Sequence, residues 1–71
     1  MPFVCVKMLT GRTLEQKREL VRALTDAMVR VCGATAQGTT VVIEEVAREH
    51  WASGGVLVAD REAGHGETRQ A

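Results

Sequence analysis

The sequence lacks an excess of charge of either sign. Nine lysine and arginine residues balance nine aspartate and glutamate residues, so the formal net charge is zero. Without a basic field, a protein has little long-range attraction for nucleic acid or anionic lipid. We therefore expect neither nucleic acid nor a membrane surface as a partner.

Cysteine is also scarce, with two residues in the chain. Cys5 and Cys32 can form one disulfide at most, and no cluster with metal-ligand spacing surrounds either of them. A free thiol in an apolar stretch behaves as a small hydrophobic side chain, so we expect both to be buried. The sequence predicts no metal site.

Long hydrophobic runs are missing as well. No apolar stretch approaches the roughly 18 residues of a membrane-spanning helix. The first residues lack the basic segment and the apolar core of a signal peptide. We expect a cytoplasmic protein.

The chain is too short for a large core. A domain of 71 residues buries only about 60% of the surface that its unfolded chain exposes. We expect the missing burial to come from symmetric self-association.

The first regular element is a predicted strand from Pro2 to Leu9, with Lys7 as its only charge. Both of its faces are largely apolar, so we expect both to be covered. Thr13 followed by Gln16 has the form of a capping box and predicts the start of a helix. Apolar residues recur at helical spacing up to Gly33, which fits the stop position.

A second strand is predicted over residues 39–46, which are rich in β-branched side chains. The order is then β-α-β, and the long helix between the strands favours a parallel crossover. Two parallel strands and one helix leave one face of the sheet bare, which is a second reason to expect oligomerisation. The fold class is α+β.

The C-terminal part divides in two. Residues 49–59 contain Trp51 and the Gly54-Gly55 turn and predict a small hairpin or β-arm. From Asp60 onward the sequence is polar and without periodicity, which predicts a mobile tail. We therefore expect one domain over residues 1–59 and a tail over residues 60–71.

Pro2 is the first candidate for chemistry. A small second residue permits removal of Met1, which would leave a secondary amine at the chain terminus. An α-amino group has an ordinary pKa of about 7.7 to 8, and burial or a nearby cation lowers it, so such an amine suits a general base. The alternative is a proline that opens a strand and has no chemical role.

Four features together resemble the 4-oxalocrotonate tautomerase family. They are the Met-Pro start, the first strand of matching length, the helix entry TGRTLEQK (Thr10 to Lys17) and the segment VVIEEVAREHWASGG (Val41 to Gly55). The resemblance implies a β-α-β tautomerase-type fold, assembly as a homo-oligomer with a hexamer favoured, and no cofactor. It also implies an isomerase acting on a small carboxylate substrate in the catabolism of aromatic compounds.

By the same resemblance, Pro2 moves a proton between positions of an enol or dienol acid. Arg12 falls at the family's carboxylate-binding arginine, where a planar fork of donors suits a carboxylate. Its alternative is a solvated loop arginine or one paired with Glu15. Trp51 falls at an aromatic residue of the active-site wall, and its alternative is an anchor between subunits. The rival function is a non-catalytic oligomeric module that keeps the fold.

The sequence departs from the family's pattern at Thr40. In the best-known members an arginine at this point binds the far end of a dicarboxylate, and threonine supplies no charge. Single-carboxylate enols and 2-keto acids fit this substrate-binding position better than a dicarboxylate does. Arg48 is interpreted as a surface charge beside Glu49. The alternative is that Arg48 takes the place of the arginine that the family has at the position of Thr40.

Overall fold

The computed structural model describes residues 1–62, and the chain divides into two compact units. Of the described residues, the first unit contains 1–7 and 11–44, and the second contains 8–10 and 45–62. The element order is β1 (Phe3–Leu9), α1 (Leu14–Cys32), β2 (Thr40–Val46), a 3-10 helix (Arg48–His50), β3 (Ala52–Ser53), β4 (Val56–Leu57) and α2 (Val58–Glu62). The predicted β-α-β order is confirmed.

Strands β1 and β2 form a two-stranded parallel sheet. The Thr40 N–H donates to the Pro2 carbonyl at 3.0 Å, and the Thr10 N–H donates to the Val46 carbonyl at 3.1 Å. Because positions early in β1 meet positions early in β2, and late positions meet late ones, the strands run in the same direction. In this register Phe3 lies opposite Thr40 and Leu9 lies opposite Val46.

Helix α1 begins and ends as the sequence predicts. The Gln16 N–H donates to Thr13 Oγ1 at 3.1 Å, and the Thr13 N–H donates to Gln16 Oε1 at 2.9 Å. Both bonds of the capping box are therefore present, and they satisfy donors that the first turn leaves free. At the other end Gly33 has φ 74°, a left-handed conformation that glycine adopts without steric cost.

The two faces of the sheet differ in exposure. The face with Val4, Val6 and Ile43 is half-buried, and α1 is the other element of the first unit available to cover it. We call the opposite side the open face; it consists of Phe3, Cys5, Lys7, Thr40, Val42 and Glu44, all of them exposed. The prediction that both faces of β1 are covered is wrong for a single chain, because Phe3, Cys5 and Lys7 are exposed.

No hydrophobic side chain in the described part of the chain is buried. Phe3 is 64% exposed and Val42 is 37% exposed on the open face. Cys5 and Cys32 are both exposed, so the prediction of buried thiols is also wrong for a single chain. Cys5 lies on the open face, and Cys32 is the last residue of α1. A chain this short does not surround its apolar side chains by itself.

The second unit contains the predicted hairpin in a shorter form. Strands β3 and β4 pair antiparallel, with Ser53 opposite Val56, and Gly54 and Gly55 form the turn with positive φ angles. Helix α2 then packs against β4 and the 3-10 helix. The Arg61 guanidinium in α2 donates to the Ser53 carbonyl at 2.7 Å, which ties this helix to β3.

Helix α2 was not predicted, and the expected domain boundary at residue 59 falls inside it. Five residues give too weak a periodicity to indicate a helix, and its contacts with the hairpin stabilise it instead. The remaining part of the predicted tail, residues 63–71, lies outside the described residues, so the tail stays a prediction. Within residues 1–62 no helix has both the length and the apolar character needed to cross a membrane.

Candidate active site

Pro2 lies directly before β1 and is half-buried. Its carbonyl oxygen accepts the hydrogen bond from the Thr40 N–H at 3.0 Å. Met1 precedes it and is 96% exposed. The sheet therefore holds the Pro2 backbone in place, while the residue attached to its nitrogen extends into solvent.

A tight loop places Thr40 beside Pro2. The Gly38 N–H donates to Thr35 Oγ1 at 3.0 Å, and the hydroxyl of Thr39 donates to the Thr35 carbonyl at 2.7 Å. A Cβ atom at position 38 would lie 2.7 Å from Thr35 Oγ1, so a larger residue there would displace the hydroxyl that accepts this bond. These bonds fix the start of β2, where the backbone N–H of Thr40 bonds the Pro2 carbonyl and the Thr40 side chain is exposed.

Arg12 lies in the connection between β1 and α1, where its side chain is exposed. It follows Gly11, whose φ of 130° is favourable for glycine alone. The suggested pairing with Glu15 is not formed, because Glu15 pairs with Arg18 at 3.1 Å. Within residues 1–62 no hydrogen bond or ion pair is found for Arg12, so its guanidinium is available to a ligand.

Pro2 and Arg12 are not brought together within one chain. Pro2 precedes β1 and Arg12 follows it, so the seven residues of this strand separate them by about 20 Å. A single small substrate cannot contact both residues of the same chain across this distance.

Trp51 belongs to the second unit, between the 3-10 helix and β3. It is half-buried, and its carbonyl oxygen accepts the Val58 N–H at 2.8 Å. The adjacent His50, the last residue of the 3-10 helix, is exposed.

Arg48 is a residue whose role the sequence analysis missed. It is half-buried, and its guanidinium donates to the Thr10 carbonyl at 3.0 Å and to Thr10 Oγ1 at 3.3 Å. The interpretation of Arg48 as a surface charge is therefore wrong. No local signal indicates these bonds, because the two residues are 38 positions apart. The two bonds from Arg48 hold Thr10, which directly precedes Gly11 and Arg12 in the chain.

The open face carries an ion pair that the sequence analysis also missed. Lys7 Nζ lies 2.9 Å from a carboxylate oxygen of Glu44, and the two residues lie directly opposite each other in the register of the sheet. The hydrogen bond and the negative charge of Glu44 raise the pKa of Lys7. Lys7 is the only charge in β1, and strand register decides which residue of β2 is its partner.

Neither unit contains a pocket over its described residues. The described part of the chain also has no group of three or more His, Cys, Asp or Glu residues placed to hold a metal ion. The candidate residues of one chain thus lie at or near its surface without enclosing a ligand.

Comparison with known proteins gives a consistent result. The family model described as tautomerase enzyme matches residues 2–61. A 2-hydroxymuconate tautomerase of Bacillus subtilis is 47% identical over 62 residues, which cover 87% of this chain and 100% of that protein.

Solved structures agree in fold. A 4-oxalocrotonate tautomerase isozyme from Methylibium petroleiphilum is 36% identical with a TM-score of 0.86, covering 89% of this chain and 98% of the other. A heterohexameric 4-oxalocrotonate tautomerase from Chloroflexus aurantiacus is 37% identical with a TM-score of 0.81, covering 84% and 97%. The chain therefore belongs to the 4-oxalocrotonate tautomerase family and is a tautomerase, an isomerase with the β-α-β fold of that family.

Proposed function

We propose that the chain catalyses keto-enol or dienol proton transfer on a small 2-hydroxy-enoate or 2-keto acid, with the amine of Pro2 as general base and acid. One observation carries this proposal: the family match begins at Pro2, the residue whose backbone the sheet fixes directly before β1. The reaction moves one proton within the substrate, so it needs no cofactor.

Removal of Met1 is a requirement of this mechanism. With Met1 attached, the Pro2 nitrogen belongs to an amide and has no basic lone pair. After removal it is a secondary amine, and chain-terminal amines titrate at about 7.7 to 8, near enough to neutral pH for general base catalysis. The amine takes a proton from the substrate's hydroxyl or carbon and returns it at another position of the conjugated system.

Arg12 is the proposed carboxylate-binding residue, supplied by a neighbouring copy of the chain. Its exposure, its lack of a partner within residues 1–62 and its separation of about 20 Å from Pro2 of the same chain support this assignment. The guanidinium would hold the substrate carboxylate and draw electron density toward the developing enolate.

Two further residues complete the proposed site. Trp51 contributes an apolar wall that excludes water and disfavours the charged form of the amine. Thr40 lies beside Pro2 and offers a hydroxyl without charge, which supports substrates with a single carboxylate.

A site assembled from several copies requires a homo-oligomer, and the heterohexameric relative from Chloroflexus aurantiacus supports six subunits. The absence of buried hydrophobic side chains within residues 1–62 supports the same conclusion, because association would supply the missing burial.

The test compares wild type with Pro2→Ala and with a form that retains Met1 behind an added N-terminal extension. Intact mass establishes the N-terminus, and absorbance follows enol-to-keto conversion of 2-hydroxymuconate and of phenylenolpyruvate. We expect kcat/KM to fall at least about 100-fold in both altered forms, since proton transfer by a placed base contributes about 10²- to 10⁴-fold.

The control is the oligomeric state, which both altered forms should keep. Rates equal to wild type in Pro2→Ala, or activity in the form with Met1 attached, would contradict the assignment of Pro2 as the base. Such a result would point to adventitious chemistry, whereas an inactive wild type would favour the non-catalytic oligomeric module.

A further inference from the structure

We propose that the Lys7–Glu44 pair decides which chains can assemble together. In this assembly the open face of one copy docks on the open face of a second copy. Lys7 of each copy then lies opposite Glu44 of the other. This inference rests on the self-association proposed above and goes beyond it. The proposed function requires neighbouring copies but does not say what selects them.

The open face is a surface that one chain leaves uncovered. Phe3 is 64% exposed and Val42 is 37% exposed. The described part of the chain has no buried hydrophobic side chain. Phe3 lies opposite Thr40 and Cys5 lies opposite Val42, so Phe3, Cys5 and Val42 place a strip of exposed apolar side chains on the same face as the ion pair. Burying such a strip against another protein is favourable, which makes this face an interaction surface.

The charges on the open face favour a second copy as the occupant. Lys7 and Glu44 lie side by side at 2.9 Å, so the face carries one positive and one negative charge. A two-fold rotation of this face places the lysine of one copy against the glutamate of the other, which makes the surface self-complementary. An all-acidic or all-basic partner would leave one of the two charges against a like charge.

The same arrangement gives selectivity between chains. An interface discriminates through the unpaired or like charges that a wrong partner would bring into it. The relative from Chloroflexus aurantiacus is a heterohexamer, so unlike chains share one assembly in that protein. The charges at positions 7 and 44 would determine whether this chain assembles with copies of itself or with a different chain.

The experiment uses two single variants. The open face carries two negative charges in Lys7→Glu and two positive charges in Glu44→Lys. Each variant alone should have a dissociation constant at least about 10-fold higher than wild type, because like charges oppose each other across the interface. Mixed in equal amounts, the two variants should form assemblies with a 1:1 composition, measured by native mass spectrometry and analytical ultracentrifugation. Added salt should weaken this preference for mixing.

The double variant Lys7→Glu/Glu44→Lys separates loss of assembly from loss of folding. It restores one charge of each sign and should assemble with itself as wild type does. The matched control is the Glu19–Arg22 pair of α1, which is also exposed and lies at 2.7 Å. Glu19→Lys and Arg22→Glu should assemble as wild type and show no preference for mixing.

Two outcomes would overturn the inference. The first outcome is a wild type that is oligomeric and variants that each assemble as tightly as it does, or that mix at random. The Lys7–Glu44 pair then does not select partners, although the proposed self-association still stands. If wild type remains monomeric at the highest concentration used, both the inference and the proposed self-association are wrong.

Discussion

Thr10 illustrates how much a single residue depends on partners far away in the sequence. Its N–H donates to the Val46 carbonyl, and its carbonyl and hydroxyl oxygens both accept from Arg48. The dipeptide Thr10-Gly11 follows β1 and leads into the connection to α1. Nothing in that dipeptide indicates a guanidinium 38 positions later, because side-chain hydrogen bonds between distant residues follow from the packed chain.

Replacement of Arg48 should therefore destabilise the protein. Arg48→Met removes both hydrogen bonds to Thr10 and should lower the free energy of unfolding by about 1.5 to 3 kcal/mol, the range for hydrogen bonds that involve a charged group. Arg48→Lys should lose less, since an ammonium can keep one of the two bonds. Chemical denaturation at one fixed protein concentration measures the change.

The control for Arg48 is Arg18→Met. Arg18 pairs with Glu15 on the exposed surface of α1, where such pairs contribute about 0 to 1 kcal/mol. A loss in Arg48→Met no larger than that in Arg18→Met would show that the bonds to Thr10 do not stabilise the fold.

At the scale of elements, α1 was predictable because its signals are local. Thr13 and Gln16 are three positions apart and bond each other, and Gly33 adopts the left-handed conformation that ends the helix. The strands were also predictable from their β-branched residues. Helix α2 was not, since its five residues depend on contacts with β4 and the 3-10 helix.

The capping box can be tested by Thr13→Ala. The substitution removes the acceptor for the Gln16 N–H and should lower the free energy of unfolding by about 1 kcal/mol, within the range of about 0.5 to 2 for such caps. Thr13→Ser keeps the hydroxyl and should stay close to wild type. Denaturation curves at a fixed concentration compare the three proteins, and equal losses in both variants would show that the hydroxyl is not the stabilising group.

At the scale of the whole molecule, the positions of Pro2 and Arg12 make catalysis depend on more than one chain. They lie at opposite ends of β1, about 20 Å apart. If each site combines Pro2 of one copy with Arg12 of another, variants defective in different residues should complement each other.

Mixing Pro2→Ala with Arg12→Ala tests this dependence. Each variant alone should be nearly inactive toward a carboxylate substrate, and co-refolded mixtures should recover about a quarter of wild-type activity, the share expected when two kinds of chain combine at random. Steady-state absorbance assays measure the recovery. A mixture no more active than its parts would contradict a site that combines Pro2 of one copy with Arg12 of another.

By itself the sequence determined the β-α-β order, both ends of α1 and the candidate residues Pro2, Arg12, Thr40 and Trp51, because caps, periodicity and motifs are properties of neighbouring residues. The tertiary structure decided what depends on register and distance. It placed Thr40 beside Pro2, separated Pro2 from Arg12, joined Arg48 to Thr10 and Lys7 to Glu44, and left one face of the sheet open. Those relations arise only when strands distant in sequence pair, since the pairing fixes which side chains meet.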